Sequence, residues 1–264
     1  MRVAVLLLAG CGRLGFGDVP VDDAPADGVA DTPTDTRPCV PLGHDDDADG
    51  IDDSCDVCPH LPADSADRDG DGVGDACDPN PDTATERIVR YEPFRSLPGD
   101  FVVLGPAPTF DDAGAQFDTR VTAVTLQHTV VPANDAFRIG LRLGAGRPAP
   151  NERQITIAMY EDPGYYYCEL YDNGTFNVLA FTRTFDGASF ASLAQADLTL
   201  TPVEQRDTFL EADHRPPITR CKTGWPATMQ TISGTNPALT PAKIVIVLRG
   251  LEARLDYFVH IRTE

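Results

Sequence analysis

The sequence has little lysine, one tryptophan and three methionines, and it has no long apolar run. No stretch approaches the ~18 apolar residues that a membrane-crossing helix needs, so helical membrane proteins are excluded. The motifs Gly-x-Ser-x-Gly and His-Glu-x-x-His, the phosphate-binding loop and the dinucleotide fingerprint are also missing. Their absence excludes the hydrolase, metalloprotease and nucleotide-dependent classes that carry those motifs.

Negative charge is abundant but is confined to one quarter of the chain. Residues 18–82 hold 20 aspartates, no glutamate and two arginines, so nearly all of the net charge of −20 lies there. Such a density of carboxylates repels nucleic acid and anionic lipid, and it attracts cations. With 264 residues, the chain is long enough for one sizeable core and an accessory segment.

The N-terminus reads MRVAVLLLAGCG and resembles a bacterial lipoprotein signal. It has one cation, an apolar run and a Leu-small-small-Cys box that ends at Cys11. The resemblance implies that a signal peptide, residues 1–10, is removed and that Cys11 is lipidated. It also implies export and a lipid anchor in the outer membrane, on its periplasmic or cell-surface face. The alternative is a short buried strand, but the polar stretch that follows gives such a strand nothing to pack on.

Residues 11–38 are predicted to form a disordered, acidic and proline-rich tether. From Asp18 to Pro38 there is no aromatic residue and no hydrophobic period. Such a segment cannot bury enough apolar area to offset the entropy lost on ordering. It is therefore predicted to act as an extended spacer between the N-terminus and the folded residues that follow.

Two acidic loops follow, DDDADGIDDSCD (loop one, Asp45–Asp56) and DRDGDGVGDACD (loop two, Asp67–Asp78), with seven of twelve positions identical. Acidic residues at positions 1, 3, 5, 9 and 12, a glycine at 6 and a backbone carbonyl at 7 reproduce the ligand order of an EF-hand calcium loop. Carboxylates about 4 Å apart repel by roughly 4 kcal/mol per pair at an effective dielectric of 20, so a cation is needed to keep them compact. The predicted calcium ligands are Asp45, Asp47, Asp49, Ile51, Asp53 and Asp56 in loop one, and Asp67, Asp69, Asp71, Val73, Asp75 and Asp78 in loop two.

The loops have no flanking amphipathic helices, and position 12 is Asp where EF-hands use Glu. The stretch from Asp45 to Pro59 more closely resembles a thrombospondin type 3 repeat, whose pattern is DxDxDGxxDxCDxCP, and the resemblance extends over residues 39–82, the repeat segment. It implies calcium binding and disulfides between successive loops. The implied disulfides are Cys39–Cys55 and Cys58–Cys77. The alternatives are a zinc site at the Cys-x-x-Cys motif and a merely solvated acidic linker.

Residues 83–264 are predicted to form a β-sandwich. Short runs of alternating apolar residues are separated by Gly, Pro, Asn and Asp, and no run keeps a helical period. This pattern predicts an antiparallel jelly roll of about 12 strands. The ending KIVIVLRGLEARLDYFVHI, Lys243–Ile261, resembles the last two strands of concanavalin-like (laminin G-like) jelly rolls. That resemblance implies a fold whose members often bind carbohydrate or protein and sometimes hydrolyse glycans.

In the stretch YYYCELY, strand alternation places Tyr165, Tyr167 and Tyr171 on the face opposite Cys168. If Cys168 is buried in a disulfide with Cys221, these tyrosines face outward. They are hypothesised to form an aromatic strip that stacks on sugar rings or packs on a partner. The alternative is that they pack beneath a second sheet or a loop.

Catalysis is not predicted. Retaining glycosidases need two carboxyl groups about 5 Å apart on one face. Glu211 and Asp213 lack the third acid of a Glu-x-Asp-x-Glu strand, and Glu169 and Asp172 fall on opposite faces. The sequence therefore predicts an exported, lipid-anchored, calcium-binding surface protein for adhesion or for carbohydrate or protein binding, with no nucleic-acid partner. The alternatives are a surface glycan hydrolase or lyase, and a purely structural envelope spacer.

Overall fold

The structure is a computed structural model that describes residues 39–62, 66–130, 134–146, 152–161, 164–172, 177–184, 190–198, 207–215, 217–225, 228–235 and 242–264. Pro33–Glu264 belong to one compact unit. The predicted signal peptide, Cys11 and the tether lie outside the described residues. Within the described ranges no helix is long and apolar enough to cross a membrane.

Fifteen β-strands make up the sandwich within the described residues, and they form two antiparallel sheets. The strands are β1 Glu86–Glu92, β2 Phe101–Leu104, β3 Thr109–Asp111, β4 Gly114–Asp118, β5 Val124–Thr129, β6 Asn134–Gly146, β7 Arg153–Glu161, β8 Gly164–Asp172, β9 Asn177–Thr184, β10 Phe190–Asp197, β11 Asp207–Arg215, β12 Ile218–Trp225, β13 Thr228–Thr235, β14 Lys243–Arg249 and β15 Leu251–Thr263. The predicted antiparallel β-sandwich is confirmed.

The two sheets interleave strands from distant parts of the chain. The eight-stranded sheet has the order β13-β12-β11-β6-β15-β4-β3, and β1 pairs with β15 beside this path. The seven-stranded sheet has the order β10-β9-β8-β7-β14-β5-β2. The last two strands, β14 and β15, lie in different sheets, so the C-terminus ties both sheets together.

The hydrophobic core fills the space between the inner faces of the sheets. Along β8, Tyr166, Cys168 and Leu170 are buried in this core while the residues between them are half-buried on the outer face. This alternation follows from the two-residue period of a strand with one face turned to the core. A disulfide from Cys168 in the seven-stranded sheet to Cys221 in the eight-stranded sheet crosses the core.

The repeat segment packs against the outer face of the eight-stranded sheet. A second hydrophobic cluster joins its buried Val73 and its Cys58–Cys77 disulfide to residues of β6 and β15. Those sandwich residues are Ala136, Val259 and Ile261. The segment therefore shares buried apolar surface with the sandwich, which stabilises both.

Gly140 on β6 makes room for this contact. A Cβ atom at Gly140 would lie 2.1 Å from the ring of Tyr257, so the ring rests directly on the β6 backbone. His60 of the repeat segment then packs on Tyr257, with ring centroids 4.7 Å apart. Close backbone approach of this kind requires glycine.

Candidate functional site

The two acidic loops fold alike. Five hydrogen bonds from backbone N–H groups to aspartate carboxylates recur at equivalent positions of the loops. In loop one they are Gly50 N to Asp45 (2.9 Å), Asp49 N to Asp47 (3.2 Å), Ile51 N to Asp49 (2.8 Å), Asp46 N to Asp53 (2.8 Å) and Cys58 N to Asp56 (2.8 Å). In loop two they are Gly72 N to Asp67 (2.9 Å), Asp71 N to Asp69 (3.3 Å), Val73 N to Asp71 (2.9 Å), Arg68 N to Asp75 (3.0 Å) and Asn80 N to Asp78 (2.6 Å). The sequence repeat is thus a structural repeat.

The turn at position 6 needs a left-handed backbone, which explains the shared glycine. Gly50 has a φ of 94° and Gly72 a φ of 89°. Position 4 is also left-handed in both loops, with Gly70 at 78° but Ala48 at 62°. An L-residue with a Cβ atom is strained there, so loop one carries strain that loop two avoids.

Ala48→Gly is expected to stabilise the protein by about 0.5–1 kcal/mol in calcium, because it removes this strain at a small entropic cost. Urea unfolding of both proteins measures the difference. Ala76→Gly is the matched control, because Ala76 is exposed in loop two and is not among the residues with positive φ. Equal effects of the two substitutions would contradict the strain at Ala48.

The loops gather carboxylate oxygens into three groups. One oxygen from each member lies within 4.8 Å of the others in Asp45–Asp47–Asp49, in Asp67–Asp69–Asp71 and in Asp71–Asp78–Glu86. Within the described residues, one buried carboxylate oxygen has no hydrogen-bond partner in each of Asp47, Asp69 and Asp78. Buried oxygens without partners are costly, and a hard cation with oxygen ligands would satisfy them. The residues at these positions therefore fit calcium.

Burial and repulsion between neighbouring carboxylates raise the pKa of several of these groups, so they ionise less readily when no cation is bound. The pKa of Asp47 rises to about 6, chiefly through burial and also through repulsion from the carboxylates of Asp49 and Asp56, while a backbone hydrogen bond opposes the rise. The pKa of Asp53 rises to about 7 through burial and through Asp52. The pKa of Asp78 rises to about 7 through burial, with Asp71 contributing repulsion. A bound cation would reverse these shifts.

The structure brings together only some of the predicted ligands. Positions 1, 3 and 5 converge in both loops. Position 9 turns to the backbone instead, because Asp53 accepts from the N–H of Asp46 and Asp75 from that of Arg68. Position 12 differs between the loops. Asp78 joins Asp71 and Glu86, whereas Asp56 belongs to no group of three.

Glu86 is a candidate ligand that the sequence did not indicate. It opens β1 of the sandwich and is only 3% exposed. Its N–H donates to Asp71 at 2.6 Å, and its carboxylate accepts from Thr85 and Thr263. No loop pattern includes residue 86, because it lies eight positions beyond position 12 of loop two. Loop two and the first strand of the sandwich therefore contribute carboxylates to the same candidate group.

The repeat segment contains the two disulfides that its resemblance implied, Cys39–Cys55 and Cys58–Cys77. Both sulfurs of the Cys-x-x-Cys motif are therefore engaged in disulfides, so they are not zinc ligands. Each bridge spans one acidic loop, which constrains the unfolded chain where little hydrophobic core is available.

A buried ion-pair network holds the repeat segment on the sandwich. Arg138 on β6 donates to Glu211 through Nε at 2.6 Å, and its Nη1 lies 2.9 Å from Nε2 of His60. Lys222 on β12 donates to the other oxygen of Glu211 at 2.6 Å. Burial alone would raise the pKa of Glu211, but the charges of Arg138 and Lys222 outweigh it and hold that pKa below its ordinary value.

Further polar contacts fix both ends of the segment. The carboxylate of Asp46 accepts from the hydroxyl of Tyr91 at 3.0 Å and from the guanidinium of Arg95. Arg215 donates to the carbonyl of Pro79 at 3.0 Å. Asp46 stands at position 2 of loop one, so this docking contact uses a carboxylate that is not a predicted calcium ligand.

The acid pairs considered for hydrolysis serve other roles. Asp213 forms ion pairs with Arg215 at 2.7 Å and Arg220 at 3.4 Å. With Glu211 it lies on the outer face of the eight-stranded sheet, the face that the repeat segment covers in part. Glu169 faces outward on β8, whereas Asp172 is buried and pairs with Arg153.

The predicted tyrosines do lie on the outer face of the seven-stranded sheet, named here the tyrosine face. Tyr165, Tyr167 and Tyr171 are half-buried there. Tyr165 stacks on its cross-strand neighbour Tyr160, with centroids 4.7 Å apart, and lies 5.7 Å from Tyr167. The rings of Tyr160 and Tyr165 are thus stacked on each other, so the predicted aromatic strip is part of a ladder of contacting rings.

Small residues form a floor beside this ladder. Ala158 on β7 and Val245 on β14 pair with each other, point away from the core and are each only 3% exposed. Larger side chains around them therefore rise above this floor. Glu169 borders it and accepts hydrogen bonds from Gln154 and Thr156. Burial raises the pKa of Glu169, although these hydrogen bonds oppose the shift.

No described protein family and no curated protein matches the chain. Solved structures do match the sandwich. The CBM2 module of the evolved Dit of Lactobacillus casei BL23 phage J-1 superposes with a TM-score of 0.55 at 10% identity, covering 68% of this chain and 96% of that one. The exoplasmic/lumenal domain of VIP36, in a form bound to Ca²⁺ and Man3GlcNAc, gives 0.53 at 8% identity, with coverages of 67% and 91%.

The winged bean acidic lectin in complex with methyl-α-D-galactose gives a TM-score of 0.51 at 7% identity, covering 67% of this chain and 98% of that one. At such low identity these likenesses show the fold alone. The sandwich is therefore a concanavalin-like jelly roll of the kind found in lectins and carbohydrate-binding modules.

Proposed function

We propose that the chain is an exported surface protein that binds a glycan through the tyrosine face of its sandwich and calcium through its repeat segment. The observation that carries glycan binding is the tyrosine face itself, where a tyrosine ladder and a hydrogen-bonded carboxylate border a floor of small residues. Aromatic edges with hydroxyl groups and a fixed carboxylate complement the mixed apolar and polar surface of a sugar. The lectin-like fold supports the same assignment.

Calcium binding is supported by the duplicated loop geometry and by the buried carboxylate oxygens that lack partners. Calcium would bring charge neutralisation to the loops, while the chain supplies the ligands Asp45, Asp47 and Asp49 in loop one and Asp67, Asp69 and Asp71 in loop two. The thrombospondin type 3 character of the segment rests on the same residues. The lipid anchor is supported by the Leu-small-small-Cys box at Cys11.

A binding role is favoured over hydrolysis by the surroundings of the acids. Glu211 is held by two cations and Asp213 by three. An acid that serves as an ion-pair partner of this kind is stabilised as a carboxylate and is a poor proton donor. We therefore propose that the sandwich recognises its glycan without cleaving it.

Replacing Tyr165, Tyr167 and Tyr171 together by alanine is expected to weaken glycan binding by at least about tenfold, because ring contacts and hydroxyl hydrogen bonds are lost together. A glycan array followed by calorimetry on the positive glycans measures the loss. The matched control is Met229→Ala, which removes a side chain that is 65% exposed on the other sheet. Unchanged affinity of a folded triple variant would contradict glycan binding by this face.

A further inference from the structure

The two lysines of the chain are used in opposite ways. Lys222 donates to Glu211 at 2.6 Å and lies 4.0 Å from Asp213. Lys243, at the start of β14, has no carboxylate within ion-pair distance in the described part of the chain. Its contacts are the ring of Tyr160, 4.6 Å from Nζ to the centroid, and Oε1 of Gln127 at 3.5 Å.

These contacts hold the charge of Lys243 over the tyrosine face. Lys243 pairs across the sheet with Tyr160, and Gln127 pairs with Val245 of the floor. The ammonium group therefore lies between the end of the tyrosine ladder and the floor, with N–H donors to spare. Cation–π contact positions it but does not neutralise it.

The other charges of this face set an orientation. Glu169 lies two strands away from Lys243, and its carboxylate repels anions and accepts hydrogen bonds. Arg249 is already paired with Glu152 at 3.4 Å. A ligand with an anionic group at one end and hydroxyl groups at the other would place the anionic group at Lys243 and the hydroxyl groups at Glu169.

We propose that the glycan is acidic, and that Lys243 binds the carboxylate or sulfate group of one of its sugar units while its hydroxyl groups donate to Glu169. This assignment rests on the proposed glycan binding by the tyrosine face and names the chemical class of the ligand. A negative group beside Lys243 is attracted by a cation that no carboxylate of the described residues neutralises, in a partly buried setting where screening is weaker than in bulk water.

The test compares acidic oligosaccharides with neutral forms of the same sugars, using the full chain in calcium. One pair is tetragalacturonate and its methyl ester, which differ in the carboxylate charge. The other pair is a sulfated galactan oligosaccharide and its desulfated form. Calorimetry is expected to show tighter binding of the acidic member of at least one pair by about tenfold or more. The pair that responds distinguishes a carboxylate from a sulfate ligand.

Variants at Lys243 assign the preference to this side chain. Lys243→Gln is expected to abolish the difference between acidic and neutral members, while Lys243→Arg retains it. If neutral members bind as tightly as acidic ones, or if Lys243→Gln weakens both equally, the acidic-glycan assignment is overturned while glycan binding stands. If no glycan on a broad array binds, the proposed function and this assignment both fail.

Discussion

Titrating the calcium-free, oxidised chain with calcium is expected to show uptake of at least two ions and a gain of about 2–3 kcal/mol in unfolding free energy per site at a hundredfold excess over Kd. The reason is that the acidic loops hold converging carboxylates with buried, unpartnered oxygens, which destabilise the folded state until a cation neutralises them. Calorimetry counts the ions, and denaturant unfolding with and without chelator measures the stability.

Variants within the loops separate the two sites. Asp49→Asn and Asp71→Asn each remove one carboxylate from position 5, so each is expected to lose uptake by its own loop. Asp112→Asn, in the exposed turn after β3, is the matched control of equal charge change. No uptake by the unaltered chain, or equal uptake by all four proteins, would contradict calcium binding by the loops.

The calcium-free state also has a defined response to pH. Because the pKa values of Asp53 and Asp78 are raised to about 7 in the folded protein, the folded state binds more protons than the unfolded state between about pH 4 and 7. Stability without calcium is therefore expected to fall as pH rises through that window. Stability curves at pH 5 and 7 check the sign, and calcium should abolish the loss.

Replacing Arg138 by methionine is expected to destabilise the protein by about 3–5 kcal/mol, because it removes one partner of a buried ion pair. Glu211 would keep Lys222 but lose both guanidinium contacts to its Oε2, and His60 would lose the donor that holds it on the sandwich. Denaturant unfolding measures the change, and hydrogen exchange of the repeat segment reports whether the segment loosens.

Arg142→Met is the matched control for this substitution. Arg142 lies on the same face of β6, four residues further along, and is exposed. A surface arginine is expected to contribute less than about 1 kcal/mol. Similar losses of unfolding free energy for the two variants would show that stability depends on the positive charge of β6 and not on the buried ion-pair network.

The loops of the repeat segment were largely predictable from sequence, because residues close together in the chain determine their conformation. The Asp register and the glycine at position 6 predict the loop, and the left-handed φ of Gly50 and Gly72 explains that glycine. Likewise, alternation along β8 placed Tyr165 and Tyr167 on the outer face. Each inference depends on residues within a dozen positions of one another.

The docking of the repeat segment could not be predicted, because it depends on distant residues. His60, Arg138 and Tyr257 meet at one point, yet 78 and 119 positions separate them along the chain. The sequence pattern predicts about 12 strands where the structure has fifteen within the described residues, since the edge strands β10 and β13 and the short edge strands β2 and β3 bury few apolar residues at alternate positions. Edge strands have one neighbour, so the binary pattern weakens there.

The docked repeat segment also determines how the protein would carry mechanical load. A pull on the chain before Cys39 meets the Cys39–Cys55 bridge first and the Cys58–Cys77 bridge next. The contacts of Asp46 and Asp71 with residues in and just after β1 carry part of this load, and they must break before the segment separates from the sandwich. Under load the repeat segment would therefore detach from the sandwich first, and the jelly roll would stay folded while the segment extends.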